Sequence, residues 1–257
     1  MTTYGICGVR DAVDVVGPVV AHMLGEVDHV IVSDNLSTDG TFDVLESFGS
    51  QITLLSDTDP AHYQGRKMTA LASIAEDMGA DWVVPFDSDE IWYSPFGRIS
   101  DVLDDCDRYS ICTAAMYDHV ATGLDDQSET NPVRRIGWRR RAEGAMPKVA
   151  ARVGNGLTIG EGNHDASYYR FRPRTLKGQL VIRHFPYRSP EQFVSKSVNG
   201  AAALRATDLP EMIGKHWRDY ADLAEAHGED ALKGVFFEHF YSADPESIPE
   251  LIFDPAP

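Results

Sequence analysis

The chain has 257 residues, 43% apolar and 25% charged, which supports one large domain, or a domain with an elaborated C-terminal part, and excludes a largely disordered chain. Forty acidic residues against 23 basic ones give a net charge of −17, which taken whole argues against a general polyanion binder. Cys7, Cys106 and Cys112 match no metal spacing and are odd in number, which excludes a disulfide scaffold and a zinc ribbon and fits a reducing cytoplasm.

The first half alternates strand and helix signals. Tyr4 to Val9 is a short apolar run that opens as a strand. Pro18 suits the first position of a helix, and Val19, Val20, Met23 and Leu24 give it an apolar stripe. Asp28 to Ser33 reads as a second strand, followed by the turn-rich stretch Asp34 to Thr41 and a helix carrying Phe42, Leu45 and Phe48. Gln51 to Leu55 is a third strand. Met68, Leu71, Ala72, Ala75 and Met78 mark one face of a helix ending at Gly79. Trp82 to Phe86 is a fourth strand, with Pro85 placed where ladder pairing ends. This order predicts an α/β fold with a mostly parallel central sheet flanked by helices.

The second half is less regular. Tyr109 to Tyr117 reads as a strand, Gly144 to Gly162 as loop, and Gln179 to His184 as a strand. Residues 117–131 are a candidate loop over the site. Ser189-Pro190-Glu191-Gln192 has a capping-box pattern and opens a helix to about Leu204. Further helices are expected over 210–226 and 229–240, and a tail over 247–257. The expected division is 1–188 for the main domain and 189–257 for a helical C-terminal extension packed on it. No apolar run approaches the roughly 20 residues of a membrane span, and the start of the chain lacks the basic stretch of a secretory leader. A cytoplasmic protein is expected.

Chemistry concentrates after strands two and four, where open parallel sheets bind ligands. Asp87-Ser88-Asp89-Glu90 places two carboxylates at i and i+2, able to share one hard divalent cation with water and phosphate oxygens. Of the three Asp-x-Asp matches, at 57–59, 87–89 and 105–107, only this one directly follows a strongly apolar strand. Asp34-Asn35-Leu36-Ser37-Thr38-Asp39-Gly40-Thr41 forms an Asx-type turn, whose strand-end carboxylate is also placed to accept hydrogen bonds from a base or ribose. From Pro132 to Arg188, 13 basic residues face only Glu143, Glu161 and Asp165, a local net of +10.

Asp34 to Thr41 resembles the Asp-(Asp/Asn)-x-Ser-x-Asp-Gly-Thr signature of family 2-like glycosyltransferases with the GT-A (Rossmann-like) fold. Asp87 to Glu90 resembles their Asp-x-Asp-Glu metal motif, and Gly65-Arg66-Lys67 the region that places an arginine near the nucleotide. His184-Phe185-Pro186-Tyr187-Arg188-Ser189, followed by Gln192-Phe193 and Lys196, resembles the tail of a bacterial and phage-associated branch. The resemblance covers roughly residues 4–200. It departs at Arg10-Asp11, where many relatives carry Arg-Asn-Glu, and it shows no clear Glu-Asp pair, the usual marker of the base.

The resemblance implies a hexosyltransferase that uses Mn²⁺ or Mg²⁺ and a nucleotide-sugar donor, a UDP-sugar first, and that inverts the anomeric carbon. Asp87, Asp89 and His184 are the expected metal ligands. Asp34, Asp39, Arg66, Asp87 and Lys196 are the expected donor contacts: Asp34 reads the base, Asp87 meets ribose or the metal, and Arg66 and Lys196 approach phosphate. Asp165, Glu161 and His164, in that order, are candidates for the general base; each has a salt-bridge or structural role as its alternative. Trp138 and Arg139 to Arg141 are a candidate acceptor surface. The expected acceptor is a glycan, a protein or a small molecule. Two rival readings are a transferase acting on modified DNA bases, docked through the basic stretch, and a non-catalytic relative that only binds nucleotide sugar or glycan.

Overall fold

The protein is described by a computed structural model covering residues 1–256; Pro257, the last residue of the expected tail, lies outside the described residues. In chain order the elements begin β1 (Thr3–Val9), α1 (Val16–Glu26), β2 (His29–Asp34), α2 (Thr41–Glu46), β3 (Ile52–Ser56), α3 (Gln64–Asp77), β4 (Trp82–Pro85), β5 (Glu90–Tyr93), α4 (Ile99–Asp104) and β6 (Ile111–Asp118). They continue with β7 (Ala121–Thr122), α5 (Pro132–Arg135), β8 (Trp138–Arg140), β9 (Lys148–Arg152), β10 (Thr158–Ile159), β11 (Ala166–Ser167) and β12 (Thr175–His184). The last elements are α6 (Pro190–Arg205), α7 (Lys215–His227), α8 (Glu229–His239), β13 (Tyr241–Ser242) and β14 (Leu251–Phe253). The chain forms two compact units, one of residues 1–58, 64–117 and 143–184, the other of residues 59–63, 118–142 and 185 onward.

The first unit carries an eight-stranded sheet in the order β3-β2-β1-β4-β9-β6-β12-β5. The four strands of the alternating first half are mutually parallel, as the β-α-β order requires. Beyond β4 the pairings of β9 with β4 and β6, and of β12 with β5, are antiparallel. The α/β class expected from the sequence is the class observed. Trp82, Phe86, Trp92, Ile6, Ile31 and Met68 are fully buried; each such side chain contributes roughly 1.5–3 kcal/mol by leaving water. β4 ends at Pro85, still paired with Ile6 of β1, so the residue without an N–H falls where the ladder stops. Helix α1 starts at Val16, two residues before the expected position, because Pro18 still lies in the first turn, where no intrahelical N–H is needed.

Two sequence readings are corrected. The glycine-rich stretch 144–162, read as loop, contains β9 inside the main sheet. Its glycines flank the strand, and Lys148 to Ala151 are all buried, so the polar alternation of a half-exposed strand is missing. The expected tail contains β14, which pairs antiparallel with β8; only a partner more than a hundred residues away makes it a strand.

The second unit is built around an aromatic core. The Phe193 ring lies 4.7 Å from Tyr187, 5.1 Å from Tyr220 and 5.3 Å from Phe240. Ser189 caps α6 by accepting from the Gln192 N–H at 3.1 Å, as the capping box predicts. Residues 118–131, part of the candidate loop, carry β7, paired with β13, and a turn in which Asp125 accepts from the Thr122 hydroxyl at 2.7 Å. The candidate acceptor arginines are engaged with the end of the chain. Arg139 pairs with Asp254 at 2.7 Å, Arg140 donates to the His239 carbonyl and Arg141 to that of Pro249. Trp138 lies 5.6 Å from Phe253. Among the described residues no helix is long and apolar enough to cross a membrane.

Candidate active site

Because β1 to β4 are parallel, the loops that follow them leave from one edge of the sheet. Asp34 ends β2 and Asp87 follows β4, with β1 between them, so two strand spacings, roughly 10 Å, separate the two acidic loops. Both lie in the first unit.

The Asp34–Thr41 loop is tied to the loop after β1. Asp11, at φ 48°, accepts from the Thr38 N–H at 2.8 Å, and its own N–H donates to the Ser37 hydroxyl. Ala12 N–H donates to the Thr41 hydroxyl and Val13 N–H to Asp39. Asp39 spends its second oxygen on the Thr41 N–H and hydroxyl. Burial pushes the Asp39 carboxyl up, but the hydrogen bonds from Thr41 and Val13 outweigh it and leave the group below its ordinary range. Asp39 thus braces the loop. Asp34 is 6% exposed. Its Oδ2 accepts from the Ser37 N–H at 3.2 Å, while its Oδ1 is buried with no hydrogen-bond partner. A buried carboxylate oxygen without a donor is costly and marks where a ligand N–H or O–H fits.

The second loop is organised by a lysine that sequence reading missed. Antiparallel pairing on β4 brings the first residue of β9, Lys148, to the carboxyl end of β4. Lys148 is 3% exposed. Its ammonium lies 2.5 Å from Asp87 Oδ2 and 2.8 Å from Glu90 Oε1. Burial alone would lower its pKa; the two carboxylates reverse that and raise it, so the cation stays charged. Glu90 is fully buried, and its Oε2 accepts from Trp92 Nε1 at 3.0 Å and from the Asp87 N–H at 3.1 Å. The other Asp87 oxygen accepts from Gln64 at 2.8 Å and Asn163 at 3.1 Å. The same surroundings push the buried Cys7 thiol well up, through burial first and then the charges of Asp87, Glu90 and Asp89.

Asp89, the second acid of the motif, is buried. Its Oδ1 lies 3.8 Å from Nε2 of His184, at the end of β12, where His184 registers with Glu90 of β5. One carboxylate and one imidazole at that separation fit a shared Mn²⁺ or Mg²⁺ whose remaining ligands are water and phosphate oxygens. Among the described residues no group of three or more His, Cys, Asp and Glu side chains is placed to hold a metal by itself. Of the three expected ligands, Asp89 and His184 therefore face each other, and Asp87 is turned to Lys148.

The base candidates occupy a turn wedged against the start of α3. Glu161 Oε1 accepts from the Gly65 N–H at 3.1 Å, a carboxylate at the positive end of a helix. Burial raises its pKa against the hydrogen bonds from the Gly65 and Gln64 N–H groups. Asn163, at φ 58° and fully buried, reaches Asp87. His164 Nδ1 lies 3.0 Å from the Pro147 carbonyl; a carbonyl only accepts, so Nδ1 carries the proton. Asp165 is exposed, and its carboxylate folds over Gly160, where an added Cβ would lie 1.6 Å from Oδ1. Arg66 is exposed on the first turn of α3. Lys196 lies in the second unit, where its ammonium donates to the Pro186 carbonyl at 3.2 Å and sits 5.6 Å from the Tyr187 ring centre.

The close approach of the 159–161 turn to α3 requires glycine at 65, because a Cβ there would meet the Ile159 carbonyl at 2.8 Å. Gly65→Ala is expected to cost about 1–3 kcal/mol by forcing backbone apart, read as a fall in the urea midpoint at unchanged slope. An unchanged midpoint would show that the turn can move away freely.

The basic stretch is dispersed by the fold. Lys148 is buried; Arg152 and Arg183 lie over the Trp82 and Tyr93 rings at 4.8 and 4.4 Å. Arg170, Arg172, Arg174 and Lys177 form its exposed run in the first unit.

No protein-family model matches the chain, and no curated protein matches it. Among solved structures it is similar to S. aureus TarS 1-349, with TM-score 0.46, 13% identity, and coverage of 93% of this chain and 72% of that one. For S. aureus TarS the TM-score is 0.43 at 13% identity, over 87% of this chain, which spans 44% of that chain. For TarS 1-349 in complex with UDP the TM-score is 0.42 at 13% identity, over 88% of this chain and 72% of that one.

Proposed function

We propose that the protein is a glycosyltransferase that moves a hexosyl group from a nucleotide sugar, UDP-hexose first, to an acceptor hydroxyl. The observation that carries this reading is the juxtaposition at one sheet edge of a buried, partnerless Asp34 oxygen and the facing pair Asp89 and His184. In a single displacement the acceptor oxygen bonds to the anomeric carbon. The bond from that carbon to the diphosphate oxygen breaks, its electron pair leaves with the diphosphate, and the configuration inverts. Asp165, exposed two residues after the Asn163 that reaches Asp87, takes the acceptor proton. Asp34 would accept from the base, and Arg66, exposed on the first turn of α3, would approach the diphosphate. Asp89 and His184 would hold Mn²⁺ or Mg²⁺, which neutralises charge developing on the departing diphosphate.

Donor hydrolysis, or transfer across an acceptor panel, is expected to stop with chelator and return with Mn²⁺, and NMR of the product is expected to show the inverted anomer. Binding without turnover across the panel would favour the non-catalytic reading. Asp34→Ala removes one charge-assisted hydrogen bond of about 1.5–3 kcal/mol, so UDP affinity by calorimetry is expected to fall roughly 10- to 100-fold. Unchanged affinity would remove Asp34 from base recognition.

A further inference from the structure

The exposed basic run that the fold leaves in the first unit is interleaved with exposed rings. From Ala166 to His184 the chain has no acidic residue, although its net charge is −17. Tyr168 and Phe171 bridge across a two-residue turn whose tip is Tyr169 and Arg170, the arginine at φ 55°. Tyr169 is 67% exposed and Phe171 45%, and the Arg170 guanidinium lies 4.8 Å from the Tyr169 ring centre. Pro173 favours extended backbone at Arg172. The Ser110 and Ile111 N–H groups both donate to the Arg174 carbonyl, which ties the run to the sheet ahead of β12. Arg170, Arg172, Arg174 and Lys177 are exposed, and among the described residues none of the four is in an ion pair. Beside the turn a recess is lined by Ser73, Glu76, Gly154, Gly156 and Leu157. Tyr169 stands over Gly156, where an added Cβ would lie 2.9 Å from the tyrosine Cβ.

We propose that this segment docks a single-stranded nucleic acid, with phosphates on Arg170, Arg172, Arg174 and Lys177 and unstacked bases on Tyr169 and Phe171. Charge complementarity supplies the first half of the argument. Arginine forks pair with phosphate oxygens, and a row without an acid is the part of this acidic chain that a polyanion can approach. The rings supply the second half. A base stacks on an exposed aromatic whatever its identity, and Ser73 and Glu76 at the recess present acceptors to a base amino group. A strand touches the segment alone. An anionic membrane would instead bring a plane of like charge against the remaining acidic surface, within the roughly 8 Å over which salt leaves charges unscreened, and would cover the Glu76 carboxylate. None of these residues belongs to the donor site, and the proposal does not depend on it.

The test is fluorescence anisotropy of a labelled single-stranded oligonucleotide of mixed sequence with the full chain, at about 50 and about 200 mM salt. Four phosphate contacts, each adding about −0.7 to the slope of log affinity against log salt, predict a fall of about 50-fold across that range. The triple variant Arg170→Gln/Arg172→Gln/Arg174→Gln is expected to bind at least about tenfold more weakly at the lower salt and to show a salt effect of only about threefold. Tyr169→Ala/Phe171→Ala is expected to bind at least about fivefold more weakly with the salt effect unchanged, a separation that a purely electrostatic surface does not give. If the aromatic double variant does not fold, Tyr169→Ala decides, at a position 67% exposed. No binding at the lower salt, or binding that neither variant weakens, would overturn the proposal. So would vesicles containing phosphatidylserine bound while the oligonucleotide is not. A duplex of the same sequence bound as tightly as the single strand would equally overturn it, because paired bases present no free face to Tyr169.

Discussion

Lys148→Met is expected to lower the free energy of unfolding by about 3–5 kcal/mol, the usual cost of removing one partner from a buried ion pair. The geometry places it at the upper end of single-residue effects. Glu90 is fully buried, and losing the ammonium leaves it only the Trp92 and Asp87 N–H donors. Asp87 loses its ammonium partner at the same time and keeps the Gln64 and Asn163 amides. In a domain of this size the change corresponds to a melting temperature lower by on the order of 10 °C. The lysine's raised pKa fixes the sign of the pH dependence. Its stabilisation is fully present below the ordinary lysine value, near pH 10.4, and is lost only as pH rises through the raised folded value, so at neutral pH the whole effect is visible. Urea unfolding of wild type and variant at pH 7 measures it. A difference below about 1 kcal/mol would mean that water or backbone movement already compensates the two acids. Replacing Asp87 and Glu90 by their amides in the Lys148→Met background should recover part of the loss.

Asp89→Ala is expected to reduce transfer or donor hydrolysis by about 10²–10³-fold or more, because a fixed electrostatic partner of the leaving group contributes roughly 3–4 kcal/mol to the transition state. Steady-state rates at saturating Mn²⁺ and donor measure it; full activity of Asp89→Ala would remove the acidic motif from the mechanism.

The parallel half of the sheet was legible because local signals and tertiary order agree there. Apolar runs ending at Val9, Ser33, Leu55 and Phe86 alternate with helical stripes, and the loops that must leave one edge are the ones carrying acids. The places of the loops carrying Asp34, Asp87 and Asp89 could be read for the same reason, and so could the strand that ends at His184. What could not be read depends on distant partners. β9 is short, small-residued and flanked by glycines, and only its neighbours β4 and β6 make it a strand. Lys148 was hidden with it, although a lysine opening the run Val149-Ala150-Ala151 is the kind of charge that a buried strand can keep only when paired. Asn163 and Gln64 carry no sequence signal, since a neutral amide becomes informative only when its acceptor, here Asp87, is known. Glu161 and Asp39 show the converse. An acid in a promising motif can be spent on a helix N-terminus or a loop brace, and spacing does not separate that use from catalysis.

The most direct measurement is thermal unfolding of the wild type with UDP-, GDP- and TDP-sugars, each with and without Mn²⁺. At a ligand concentration of about 100 times its dissociation constant, mass action adds roughly 2.7 kcal/mol. A rise of several degrees is therefore predicted with a UDP-sugar and Mn²⁺, smaller without the ion and smaller again in Asp34→Ala. No shift with any of the three nucleotide sugars in the presence of Mn²⁺ would contradict a donor site built from the Asp34 and Asp87–Glu90 loops.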